Sequence, residues 1–114
     1  MENNVNGGRV LTEVQAVQMI FGLSEALAKL FLLLVKTKLV TPHMVETELK
    51  IVSQTKMAVL RVRRRLASGG HDVEIQASPG LGYWLSDDTR QDLFARIRRG
   101  QGDVSLDGGD AEAV

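Results

Sequence analysis

Arg61, Arg63, Arg64 and Arg65 crowd four guanidinium groups into five positions, and Lys50 and Lys56 precede them with no acidic residue in between. A guanidinium is permanently charged. Its rigid fork of donors matches two oxygens of a phosphate, or the N7 and O6 edge of a guanine. The chemistry on offer is therefore recognition of an anion rather than the making or breaking of bonds. Neighbouring arginines repel, and on a helix the remedy is an Asp or Glu three or four positions away. None stands at those distances from Arg61, Arg63, Arg64 or Arg65. An external polyanion would supply what the chain withholds.

Nothing else in the sequence competes with this cluster as a chemical site. His43 and His71 stand apart, without the carboxylate or thiolate company that a metal needs, and read as surface histidines. Cysteine is absent, which removes disulfides, thiolate metal sites and thiol catalysis. Gly80-Leu81-Gly82 lacks the strand-then-helix setting of a nucleotide loop and reads as a hairpin turn. No Ser/His/Asp grouping is visible. The expectation is a protein that is not an enzyme and carries no cofactor or metal.

The elements around the cluster follow from local signals. Thr12 with Gln15 fits a capping box, and Val14, Val17, Ile20 and Phe21 follow at helical spacing, predicting a helix over 12–20; Val10-Leu11 pairing as a strand is the alternative. Gly22 breaks that helix and Ser24 caps the next, over 25–37. There Leu27, Leu30, Phe31 and Leu34 form a stripe that Leu32, Leu33 and Val35 widen, so this helix is either the central core helix or partly an interface. Leu39-Val40 is placed to make one β-bridge. Thr41-Pro42 opens a third helix reaching about Lys50 and burying Met44 or Val45 and Leu49. After a turn at 51–54, with Ser53 as cap, the basic helix runs over 54–68 until Gly69-Gly70 ends it. Its core side is predicted as Thr55, Val59, Val62 and Leu66. The opposite side carries Met57, Leu60, Arg61 and Arg64, flanked by Lys56, Arg63 and Arg65.

Val73 to Ala77 alternates apolar and polar as a half-buried strand does, and Gly82 to Leu85 is the return strand. Ser86-Asp87-Asp88 then caps a final helix, Thr89 to Arg98, burying Leu93, Phe94 and Ile97. Residues 1–9 and 100–114 are expected to be disordered, leaving one domain over 10–99. A basic helix followed at once by a hairpin is the layout of a winged helix. The predicted fold class is thus α+β, a winged helix-turn-helix with a helical core, a hairpin wing and an extra helix at each end.

Bulk properties bound the answer. The 114 residues suit one domain, and 44% hydrophobic with 4% aromatic residues implies an aliphatic core. Net charge is zero, but it is unevenly placed: a basic centre is balanced by Asp103, Asp107, Asp110 and Glu112 in a stretch without bases. The apolar run Leu30 to Val35 falls far short of the roughly 20 residues of a membrane span. No signal-peptide pattern opens the chain, and a cytoplasmic location away from membranes is expected.

Residues 21–85 resemble the winged-helix effector domain of OmpR/PhoB-type response regulators. Val59-Leu60-Arg61-Val62-Arg63-Arg64-Arg65-Leu66 resembles its recognition helix, and Ile75 through Pro79-Gly80-Leu81-Gly82-Tyr83-Trp84-Leu85 its wing. Leu39-Val40-Thr41-Pro42 is similar to the opening of the positioning helix, and Leu23-Ser24-Glu25-Ala26 to the start of the first helix. The resemblance implies DNA binding through Lys56, Ala58, Leu60, Arg61, Arg63, Arg64 and Arg65, with Pro79, Gly80, Leu81 and Trp84 in the wing. Ala58 and Leu60 stand where the family often has polar residues, and Pro79 and Trp84 where it commonly has arginine. The link between the third and fourth helices is shorter than the family's transactivation loop. No receiver-like segment is present, so phosphorylation control is not expected.

The function expected is a DNA-binding protein of transcription regulation, bacterial or phage. It would read double-stranded DNA with the basic helix in the major groove, as a homodimer or with RNA polymerase or another regulatory protein as partner. Two alternatives stay open: a winged-helix adaptor that meets a protein through Leu60 and Trp84, and a phage DNA-packaging or scaffold component. Tyr83 is expected to close the core under the wing; Trp84 is left between core and base stacking.

Overall fold

The computed structural model describes residues 11–49 and 54–102. Five helices and one hairpin follow in the order α1 (Glu13–Phe21), α2 (Glu25–Lys36), α3 (Pro42–Leu49), α4 (Thr55–Ser68), β1 (Gln76–Ser78), β2 (Gly82–Trp84) and α5 (Asp87–Gly100). The fold is α+β, a helical core with a two-stranded antiparallel hairpin.

Helix starts are set by short side chains that satisfy the free N–H groups of the first turn. Thr12 Oγ1 accepts from Gln15 N at 3.0 Å, while Gln15 Oε1 accepts from Thr12 N at 2.9 Å, completing the capping box. Ser24 Oγ accepts from Leu27 N, Thr41 Oγ1 from Met44 N and Ser86 Oγ from Thr89 N. Because Ser86 is the cap, α5 begins at Asp87, two residues before the expected Thr89, and it continues to Gly100. Gly22 ends α1 in the left-handed conformation and donates to Gln18 O.

Leu11 does not pair as a strand. It donates to the Gln101 carbonyl at 3.1 Å and accepts from Gln101 Nε2 at 3.0 Å, tying the start of α1 to the end of α5. Val10, the Lys50 end of the third helix, the turn at 51–53 with its Ser53 cap, and the termini expected to be disordered, apart from 100–102, lie outside the described residues. Gly100 and Gln101, placed by the sequence reading in a disordered tail, belong to α5 and its cap.

The broad apolar girth of α2 is explained by its position. It packs against α1 and α5 on one side and against α3 and α4 on the other. Ala28, Leu30, Phe31, Leu34 and Val35 are all buried, so α2 is the central core helix. Full burial of a Leu or Phe side chain is worth about 1.5–3 kcal/mol, and this helix contributes three such residues in Leu30, Phe31 and Leu34. Lys36 Nζ reaches Glu13 Oε1 at 2.9 Å, adding an ion pair between α2 and α1. No single helix among the described residues is long and apolar enough to cross a membrane.

Val40 makes the expected bridge. Its N–H donates to the Tyr83 carbonyl and its carbonyl accepts from Tyr83 N, both at 2.8 Å, so Val40 lies beside β2 on the side away from β1. Gly82 permits this approach. Its φ of 146° is open only to glycine, and a Cβ there would run into the Val40 carbonyl oxygen.

Candidate nucleic-acid interface

The face of α4 that turns inward carries Thr55, Ala58, Val59, Val62 and Leu66. Four of these match the periodicity reading. Ala58 does not fit the groove-facing role implied by the resemblance: it is 7% exposed. Its position explains this, since it stands three residues after Thr55 and four before Val62, on the same side of the helix. Leu60 is half-buried, which leaves it less available than an exposed groove-facing residue. Lys56, Met57, Arg61, Arg63, Arg64 and Arg65 are exposed.

The cations of α4 divide into two kinds. Arg63 donates through a terminal guanidinium nitrogen to the Ile75 carbonyl at 2.6 Å, fastening the helix to the foot of the hairpin. This contact crosses twelve positions of sequence and left no trace in the local pattern. The alternation begins at Val73, but the ladder begins at Gln76; the Ile75 carbonyl lies on the edge turned away from β2, where it accepts from Arg63, and the Ile75 side chain is buried. In contrast, Lys56, Arg61, Arg64 and Arg65 have no carboxylate within ion-pair distance among the described residues.

The hairpin pairs Gln76 with Trp84, Ala77 with Tyr83 and Ser78 with Gly82. Its turn closes through Leu81 N donating to Ser78 O at 3.0 Å. Pro79 followed by Gly80 at φ 76° supplies what a type II turn requires. Pro79, Gly80 and Leu81 are exposed at the tip. Tyr83 is half-buried and packs against the core; Trp84 is half-buried beside it on β2.

The tip and the first turn of α4 meet across one cleft of about 660 Å³, walled by Pro42, Glu46, Thr55, Lys56, Pro79 and Leu81 among others. Lys56 and the wing tip are thereby brought to a single surface, with the arginines continuing along α4 from it. Trp84 is not part of this wall. α4 itself starts from Gln54, a left-handed residue at φ 68°, and no side chain caps it.

The two histidines are apart. His43 is exposed, with Nε2 3.5 Å from Thr47 Oγ1. His71 is half-buried, its ring edge-on to Phe21 at 4.8 Å, so it is a packing residue rather than the surface histidine expected. No group of three or more potential metal ligands occurs among the described residues. Comparison with protein-family models, curated proteins and solved structures found no match.

Proposed function

We propose that this chain is a winged-helix protein that binds double-stranded DNA, with α4 in the major groove and the β1–β2 hairpin as the wing. The observation that carries the reading is the set formed by Lys56, Arg61, Arg64 and Arg65: exposed cations fanned over the outward half of one helix, without acidic partners among the described residues. The order of elements supports it, because α2, the Val40 bridge, α3, α4 and the hairpin follow one another as helix, strand, helix, helix and wing. A major groove is about 12 Å wide and admits one helix. In this reading Arg61 and Arg64 reach base edges or phosphates, Lys56 and Arg65 contact the backbone, and Arg63 holds the wing to the helix. Regulation of transcription, with two copies on half-sites about one helical turn apart, is the role that fits such a module.

The adaptor alternative would rest on Leu60 and Trp84. Both are half-buried, so neither offers a partner its full apolar surface.

The test is a titration of duplex binding against salt. Groove binding requires log K to fall linearly with log salt at about 0.9 per phosphate neutralised. The doubly substituted chain, Arg61→Ala with Arg64→Ala, should bind more weakly and with a shallower slope. Unchanged affinity and slope would sink the assignment of α4, and absence of duplex binding at low salt would return the adaptor reading to the front. Selection from a random duplex pool then decides between sequence reading and sequence-blind binding.

A further inference from the structure

We propose that the basic face of α4 is also a docking surface for the chain's own acidic segment, residues 103–114, which competes there with any external polyanion. Lys56, Arg61, Arg64 and Arg65 present four charges that nothing among the described residues neutralises. The segment after Gly102 holds Asp103, Asp107, Asp110 and Glu112 and no base. The two sets are opposite in sign, and Asp107, Asp110 and Glu112 lie far enough along the segment to leave the end of α5.

Length permits the contact. At about 3.3–3.6 Å per extended residue, Asp107 lies within about 17 Å of Gly102, Asp110 within about 28 Å and Glu112 within about 35 Å, while Asp103 stays beside the end of α5. From Lys56 to Arg65 the helix rises about 14 Å at 1.5 Å per residue, comparable to the roughly 17 Å that Asp107 to Glu112 can span. Other cations offer less: Lys38 and Arg99 are exposed and without an ion pair among the described residues, but each adds a single charge. Lys29 and Lys36 already pair with Glu25 and Glu13, and Arg90 with Asp87. Arg96 and Arg98 lie over the rings of Phe21 and Phe94. A tether of this kind gives the acidic groups an effective concentration in the millimolar range, enough to compete at low salt and not at high salt. Docking itself needs no nucleic acid; only its effect on duplex affinity rests on the function proposed above.

The absence of cysteine makes the test clean, because Gly108→Cys creates the sole thiol for a nitroxide spin label. In the labelled 114-residue chain at about 10 mM salt, where charges are felt over roughly 30 Å, backbone amide signals from Lys56 to Arg65 should broaden. They should sharpen at about 1 M salt, where that distance is roughly 3 Å. They should also stay sharp in a chain carrying Asp103→Asn, Asp107→Asn, Asp110→Asn and Glu112→Gln. Sharp α4 signals at low salt, or equal broadening in the neutralised chain, would overturn the docking. With a short random-sequence duplex, the neutralised chain without label should bind roughly 5-fold more tightly at low salt, with the two chains converging as salt rises. Equal affinity at low salt would overturn the competition. If neither chain binds duplex, the DNA reading fails while the label still decides whether the segment docks.

Discussion

Helices α4 and α5 are both 14 residues long and each carries four arginines, yet they use them in opposite ways. On α5, Asp87, Asp88 and Asp92 share the helix with the arginines. Arg90 pairs with Asp87, Arg96 sits 5.1 Å from the centre of the Phe21 ring, and Arg98 lies over Phe94. On α4 there is no acid at all, and among the described residues only Arg63 of its arginines is engaged by a hydrogen bond. Arginine content alone therefore says little about a helix. What distinguishes an anion-binding face from a self-satisfied one is whether the fold supplies the counter-groups.

The sharpest way to break this contrast is to strip both helices. Arg61→Ala with Arg64→Ala should lower duplex affinity by about 100-fold and the salt slope by about 2, read by fluorescence anisotropy at several salt concentrations. Arg99→Ala on α5 should change affinity less than about 2-fold. Comparable losses from the two helices would erase the distinction.

Arg63 tests the exception within α4. Removing a charged donor from the Ile75 carbonyl should cost about 1.5–3 kcal/mol of folding stability, seen as a lower urea midpoint for Arg63→Ala. Arg61→Ala should leave that midpoint nearly unchanged.

Arg96→Ala should cost about 0.5–1 kcal/mol, the worth of a cation over an aromatic ring near the surface. Thermal denaturation would show that loss while duplex affinity stays the same.

The smallest expected effect is at Asp87. Its hydrogen bond to Arg90, and then the charge of Arg90, hold the Asp87 carboxyl below the ordinary carboxylate range, with a lesser contribution from Lys38. A lowered value in the folded state means that the pair's contribution is complete above the ordinary carboxylate value and is lost as pH falls through the lowered one. The stability difference between the parent and Asp87→Asn, followed by urea titration, should be level at neutral pH and shrink to nothing in acid. A difference that grows in acid would contradict the pairing.

Much of the frame was legible because it is written locally. Thr12 with Gln15, Ser24, Thr41-Pro42 and Ser86 mark helix starts by chemistry within four residues, and Gly22 and Gly69-Gly70 mark ends in the same way. The inward side of α4 was legible from periodicity, as was the isolation of its cations from acids. Even Ala58 was open to that reading, since its spacing from Thr55 and Val62 puts it inside; the resemblance placed it outward. What stayed hidden depends on contacts between distant segments. The Arg63 bond to Ile75 is one, joining α4 to the foot of the hairpin across twelve positions of sequence. The seating of His71 on Phe21 is another, because nothing near His71 in sequence announces a ring at that place. The cleft joining Lys56 to Pro79 and Leu81 likewise exists only once the hairpin has folded back.

The Val40–Tyr83 bridge encloses α3 and α4 between its two ends. During synthesis, then, the arginines of α4 are made before the residue that closes the clasp. The strand that receives Val40 thus arrives only after α3 and α4 are complete, and Gly82, too small to obstruct the clasp, sets whether it can close.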